Sequence, residues 1–117
     1  MNVITIWHNV ERDNEGRPVG MLDGYQAHHA MSPVFVYVSN HPEAMDQAFV
    51  LFNAPEEHLS TEGAKIARRY RANRFRSLSV GDIVQVDREY FAVSRRGFSY
   101  YAPHHELVVT ADPYDNF

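Results

Sequence analysis

The spacing of apolar residues changes twice along the chain, and this change limits the possible folds more than any other feature. Apolar, β-branched segments at Val3–Val10 and Val34–Val38 predict two strands. Helical spacing of three and four residues follows, and an alternating pattern returns after Asn73. This order predicts an α+β domain, with an antiparallel or mixed sheet and two helices inserted between an N-terminal strand pair and a C-terminal β-meander.

The two predicted helices each have a start signal. Asn40 and Glu43 have the spacing of a capping box, with Pro42 suited to the first turn. Ser60 or Thr61 is expected to cap the second helix, which extends to about Asn73. The side chains expected to face the core are Met45, Ala48, Phe49 and Phe52 in the first helix, and Ile66, Ala67 and Tyr70 in the second.

The rest of the chain is predicted to consist of loops and short strands. Residues 11–33 contain glycines and prolines among charged residues and predict one long loop, which at this length is expected to be functional or mobile. Residues 111–117 predict a frayed acidic tail. A length of 117 residues fits a single domain. The later strands are predicted at Ile83–Val86, Tyr90–Ser94, Phe98–Tyr101 and Glu106–Thr110.

The absence of cysteine excludes several kinds of site. With no cysteine, the chain has no disulfide, no thiolate nucleophile and no Cys-ligated zinc or iron–sulfur cluster. The sequence has neither a membrane-spanning run nor a signal peptide, so we expect a cytoplasmic protein without a membrane partner. If the protein is encoded by a phage, the compartment is the host cytoplasm.

Charge is distributed unevenly along the chain. The net charge is -4, but residues 1–64 have a net charge of -7 and residues 65–117 a net charge of +3. All nine cations of the second part lie between Lys65 and Arg96. This asymmetry indicates an anionic partner, unless the two halves neutralise each other across the folded surface.

The segment from Lys65 to Arg76 is the most specific feature, with six cations and two aromatic residues in twelve positions. If these cations form one exposed patch that no acid neutralises, they would bind nucleic-acid phosphates or an acidic host protein, and Tyr70 or Phe75 would stack on bases. The alternative is that both rings are core residues and the arginine stems cover apolar surface. The predicted binding residues are Lys65, Arg68, Arg69, Arg71, Arg74, Arg76, Arg88, Arg95 and Arg96.

Catalytic and metal-binding patterns are absent. The seven histidines have no chelating spacing, and no serine lies in a nucleophile motif, so we predict no cofactor and no catalytic residue. Two alternatives to a binding protein stay open. One is a small enzyme, possibly metal-dependent, with a site formed by Asp23, Tyr25, His28 and His29, and the other is a self-associating structural protein, because 13% of the residues are aromatic.

Three segments carry a resemblance to known proteins. Residues 76–84, Arg-Ser-Leu-Ser-Val-Gly-Asp-Ile-Val, resemble the "RSLSVGDVV" signature of small uncharacterised proteins of actinobacterial phages, plasmids and integrative elements, and are also similar to the YodL-like domain. Residues 7–10 and 20–25 resemble the first group as well. The resemblance implies a genetic context and no reaction. We therefore expect a non-catalytic accessory binding protein of a phage or mobile element.

Overall fold

A six-stranded mixed sheet forms the frame of the protein. The computed structural model describes residues 1–94, 97–101 and 108–109. The strand order is β5-β4-β3-β1-β2-β6, and every neighbouring pair is antiparallel except β2 with β6. The elements are β1 (Asn2–Asn9), α1 (Gly20–Asp23), β2 (Ala30–Ser39), α2 (Ala44–Asn53), α3 (Thr61–Ala72), β3 (Ile83–Val86), β4 (Glu89–Ser94), β5 (Gly97–Tyr101) and β6 (Val108–Val109).

The predicted α+β class is confirmed. Helices α2 and α3 lie in the chain between the β1–β2 pair and the β3–β4–β5 meander, as the change in apolar spacing indicates. A short 3-10 turn, Glu56–His58, connects the two helices. None of the described helices is long and apolar enough to cross a membrane.

Helices α2 and α3 cover one face of the sheet. The strand β1 alternates strictly, so that Ile4, Ile6 and His8 are buried on this face. Phe35 and Tyr37 continue the buried face on β2. The main core cluster joins these side chains to Ala48, Leu51 and Phe52 of α2 and to Tyr70 of α3.

The opposite face of the sheet is only partly covered. Met31 and Ile83 are buried there, and Trp7 and Tyr25 pack against them. Val3, Val36 and Val38 are each about half exposed. The loop before β2 therefore protects only the end of this face near Met31.

The start of α2 differs from the prediction. The predicted Asn40 capping box does not form, because the turn uses other groups: Ser39 Oγ accepts from the His41 N–H at 3.0 Å, and His41 Nδ1 accepts from the Glu43 N–H at 3.0 Å. The helix α2 begins at Ala44. The predicted core-facing residues of this helix are wrong at Phe49, which is 44% exposed. Leu51 occupies the buried position instead.

The other predicted element boundaries agree more closely with the structure. Ser60 caps α3 as predicted, with its Oγ accepting from the Gly63 N–H at 3.0 Å. The strand predicted from Val34 begins earlier, at Ala30, because a bulge accommodates the additional residue opposite Ile6 and Trp7. The helix α1 lies inside the predicted long loop. The predicted tail, residues 111–117, lies outside the described residues.

Two glycines with positive φ provide a matched test of the packing. Gly81 has φ 92°, and a Cβ at this position would overlap the backbone of Gly20, whereas Gly16 has φ 80° with no atom nearby. We expect Gly81→Ala to lower the free energy of unfolding by about 3 kcal/mol or more and Gly16→Ala by about 1 kcal/mol, because only the first adds a backbone clash to the strain. Urea denaturation measures both, and equal losses would contradict the close approach.

Candidate functional site

A buried ion pair lies at the centre of the 76–82 segment. Asp82 is fully buried, and its carboxylate accepts two hydrogen bonds from the Arg76 guanidinium, at 2.6 and 2.7 Å. Two backbone N–H groups, of Asn9 and Ser79, each donate to the same carboxylate at 2.8 Å. Burial raises the pKa of Asp82, while these four hydrogen bonds act in the opposite direction. All four hydrogen bonds are made within the protein, which is typical of a structural ion pair and not of an open binding site.

Asn9 connects this ion pair to the loop before β2. Its Nδ2 donates to the Gly81 carbonyl at 3.2 Å and to His29 Nδ1 at 3.0 Å. A Cβ on Gly20 would overlap the Asn9 side chain, so the loop backbone lies directly against it. The segments 7–10, 20–25 and 76–84 are therefore in contact around Asn9 and Asp82.

A second buried polar group joins α3 to β1. The Tyr70 hydroxyl donates to the Arg76 carbonyl at 2.5 Å, and since a phenol has one hydrogen, His8 must donate its Nε2–H to Tyr70 Oη, at 2.6 Å. Burial, and then the nearby Arg76 charge, lower the pKa of His8 to about 3. His8 is therefore neutral in the folded protein at pH 7.

Four of the six cations between Lys65 and Arg76 contact carboxylates. Lys65 Nζ lies 3.4 Å from Glu62 Oε1. Glu56 contacts two arginines, with Oε2 at 2.9 Å from Arg68 Nε and Oε1 at 3.8 Å from Arg71 Nη1. Arg76 is the fourth, with its side chain only 34% exposed. We expected one basic patch without acidic partners. The cations are instead divided into a paired and an unpaired group, because the turn before α3 brings Glu56 beside the helix.

Arg69 and Arg74 differ from the other four. Neither forms an ion pair within the described residues, and both are exposed. The Arg69 guanidinium lies 5.3 Å from the centre of the Phe35 ring, a cation–π contact. Arg74 follows α3 in a left-handed conformation, with φ 60°. These two cations are placed near the C-terminal end of α3.

Of the predicted hairpin cations, Arg88 lies far from the C-terminal end of α3. Arg88 follows Asp87, whose N–H donates to the Val3 carbonyl, whereas Arg76 donates to the Asn9 carbonyl at the other end of β1. The eight residues of β1 span roughly 25 Å, so Arg88 lies far from Arg76. Arg95 and Arg96 lie outside the described residues.

The predicted stacking role of Tyr70 is wrong. Tyr70 is 1% exposed and packs in the core between Phe35, Phe52 and Phe75. Its hydroxyl is used by the contacts with His8 and Arg76. Tyr70 therefore offers no face to a base, and the alternative of a core residue is confirmed.

The histidine loop is organised around His29. His29 is buried, while Asp23 and His28 are exposed, and the rings of His28 and His29 have centroids 4.7 Å apart. Tyr25 packs against His29 edge to face and also joins the smaller apolar cluster. Within residues 1–94, 97–101 and 108–109, no group of three or more acidic or histidine side chains is placed to hold a metal ion.

The conformation of His29 argues against a general base at this position. Its Nδ1 accepts from Asn9 Nδ2 and from the Gln26 N–H at 3.2 Å, so the proton of the neutral ring is on Nε2. Burial, and next the neighbouring His28, lower the pKa of His29. The ring is thus a fixed hydrogen-bond donor.

Searches of protein-family models, curated proteins and solved structures find no match to the chain.

The residues that organise this region, Asn9, His8 and Asp82, are not among the site residues predicted from the sequence. The available signal is Asp82 itself, an acid six residues after the cation Arg76, but this spacing alone does not distinguish a buried ion pair from a solvated turn. Nothing in the sequence shows that Asn9 is the neighbour of this turn.

His8 makes stability depend on pH. The unfolded chain binds a proton at His8 below about pH 6.5 and the folded protein does not, so the free energy of unfolding falls as the pH is lowered from 6.5 towards 3. Between pH 6.5 and 5 the loss from this group approaches about 2 kcal/mol. His8→Gln retains a donor for Tyr70 without titrating, and we expect it to remove that part of the pH dependence. Urea denaturation at both pH values tests this, and an unchanged slope in the variant would contradict it.

Proposed function

We propose that the protein is a non-catalytic accessory binding protein of a phage or mobile element, and that it binds an acidic surface of a host protein through α3. The phage context rests on the resemblance carried by residues 76–84 and the two shorter segments. The binding surface, which we call the α3 face, consists of Lys65, Arg68, Arg69 and Arg74.

The observation that carries the proposal is the state of Arg69 and Arg74. Both are exposed and lack a carboxylate partner in the part of the chain that the structure describes. The Phe35 ring supports one side of the Arg69 guanidinium, so the N–H edge keeps the geometry that pairs with a carboxylate. A partner with two suitably spaced carboxylates would fit this end of α3.

Lys65 and Arg68 extend the same surface. Their ion pairs are exposed, with side chains 63% and 64% accessible, and pairs of this kind contribute roughly 0 to 1 kcal/mol. A partner's carboxylate can therefore replace Glu62 or Glu56 at little cost. Arg76 does not belong to this surface, because its guanidinium is used by Asp82.

Two features favour a protein over a nucleic acid. Glu56 and Glu62 lie among the cations of the α3 face and repel a continuous phosphate backbone. Tyr70, the aromatic residue inside this helix, is buried and offers no base-stacking surface. Separate carboxylates on a protein surface match such a mixed-charge face better.

Charge reversal tests the proposal. We expect the double variant Arg69→Glu and Arg74→Glu to reduce capture of the host partner by at least about tenfold, since two charge pairs become repulsive. Arg12→Glu, an exposed cation on another loop, is the control and should bind like the wild type. The measurement is a pull-down from host lysate, with and without nuclease, quantified by mass spectrometry.

The expected partner is a protein whose capture survives nuclease and is lost only in the double variant. Capture that disappears with nuclease would replace the proposal with nucleic-acid binding. Equal capture by the double variant and the Arg12→Glu control would contradict a role for the α3 face.

A further inference from the structure

The strand β2 has a partner strand on both sides only at its beginning. On one side, β1 pairs with it from Met31 to Ser39. On the other side, β6 pairs only with Ala30 and Met31. Among the residues that the structure describes, no strand therefore lies against residues 34–39 on the side away from β1. An open strand edge of this kind presents backbone N–H and C=O groups to a further strand.

The hydrogen bonds of β1 show which backbone groups of β2 face this open edge. Val3 uses both its N–H and its C=O for Asp87, on the side of β1 that pairs with β3. Because the direction of these groups alternates along a strand, those of Ile4 point towards β2. Tyr37 lies directly opposite Ile4, so its own N–H and C=O point back towards β1.

Val36 and Val38, on either side of that residue, therefore direct their N–H and C=O groups out of the open edge. They are also 52% and 50% exposed. Edge strands are commonly protected by charged side chains, prolines or bulges. Pro33 and the bulge protect the first part of β2, but residues 34–39, Val-Phe-Val-Tyr-Val-Ser, contain neither a proline nor a charge.

We propose that this edge binds the same edge of a second copy of the chain, so that the two β2 strands pair antiparallel around a two-fold axis at Tyr37. In this register, Val36 lies opposite Val38 of the second copy, and each such pair exchanges both of its N–H to C=O hydrogen bonds. All outward-facing backbone groups of the two valines are then bonded. Each exposed valine also gains a valine neighbour across the new strand pair.

Charge and size both bear on the choice of a second copy as the occupant. The strand β2 has no charged side chain, so a two-fold axis places no like charges opposite each other, and the edge offers no charge by which an acidic or basic partner would be selected. A contact of one strand pair belongs to the small class of interfaces, below about 1,200 Å², so we expect a dimer that dissociates on dilution. The inference does not depend on the α3 face.

Sedimentation equilibrium of the full chain tests the dimer, and we expect reversible association between about 10 and about 500 μM. The double variant Val36→Lys and Val38→Lys places like charges opposite each other and should weaken association at least about tenfold. Val3→Lys is the matched control. Val3 is 48% exposed on the same sheet face, but it lies on β1, which is paired on both sides, so this variant should associate like the wild type.

A charge swap tests the register. The double variant Val36→Glu and Val38→Glu should also associate weakly on its own, for the same reason. An equimolar mixture of the two double variants should form heterodimers, because opposite charges then face each other across the strand pair. Both variants change exposed side chains, so we expect both to fold.

Amide hydrogen exchange of the wild type identifies what covers the edge. In dilute protein, the N–H groups of Val36 and Val38 should exchange rapidly, while that of Tyr37, which points towards β1, is protected. In concentrated protein, all three should be protected.

Four results would overturn the proposal. The first is a monomer mass over the whole concentration range, and the second is a charge-swap mixture that stays monomeric. The third is an equal weakening by Val3→Lys, which would assign the contact to the sheet face. The fourth is protection of Val36 and Val38 in the dilute monomer, which would mean that another part of the same chain covers the edge.

Discussion

The fold depends on the burial of Asp82 against Arg76. A carboxylate without water is tolerated only when its charge is balanced and its oxygens are saturated, and here two guanidinium and two backbone N–H groups do both. Because one backbone donor comes from Asn9 and the other from Ser79, the ion pair fixes the end of β1 against the segment before β3. The strands β1 and β3 are neighbours at the centre of the sheet.

The same interaction affects both the basic segment and the loop before β2. It withdraws Arg76 from the basic segment, and within Lys65–Arg76 it leaves Arg69 and Arg74 as the cations without acidic partners among the described residues. Through Asn9 it also orients His29, whose Nδ1 accepts from the Asn9 amide. The segments 7–10, 20–25 and 76–84 meet at this point, although they are far apart in the chain.

Much of the fold was predictable because it depends on local patterns. The alternation in β1, the Ser60 cap and the order of elements are short-range signals, and each agrees with the structure. The Asn40 cap was predicted wrongly because Ser39 and His41 provide a different turn. Phe49 was predicted wrongly because the buried face of α2 is formed by Ala44, Ala48, Leu51 and Phe52. The contacts of Asn9 with Gly81 and His29 span 72 and 20 residues, and no local pattern encodes them. The site was therefore harder to predict than its scaffold.

The central claim is that Arg76 and Asp82 stabilise the fold as one unit, and a double-mutant cycle measures this directly. The free energy of unfolding is determined in urea for Arg76→Met, Asp82→Asn and the double variant. Each single change leaves a buried or half-buried charge without its partner, so each should lower the free energy of unfolding by about 3 to 5 kcal/mol. The double variant removes both charges, and its loss should be clearly smaller than the sum of the two single losses. Additive losses, within about 0.5 kcal/mol, would contradict the account.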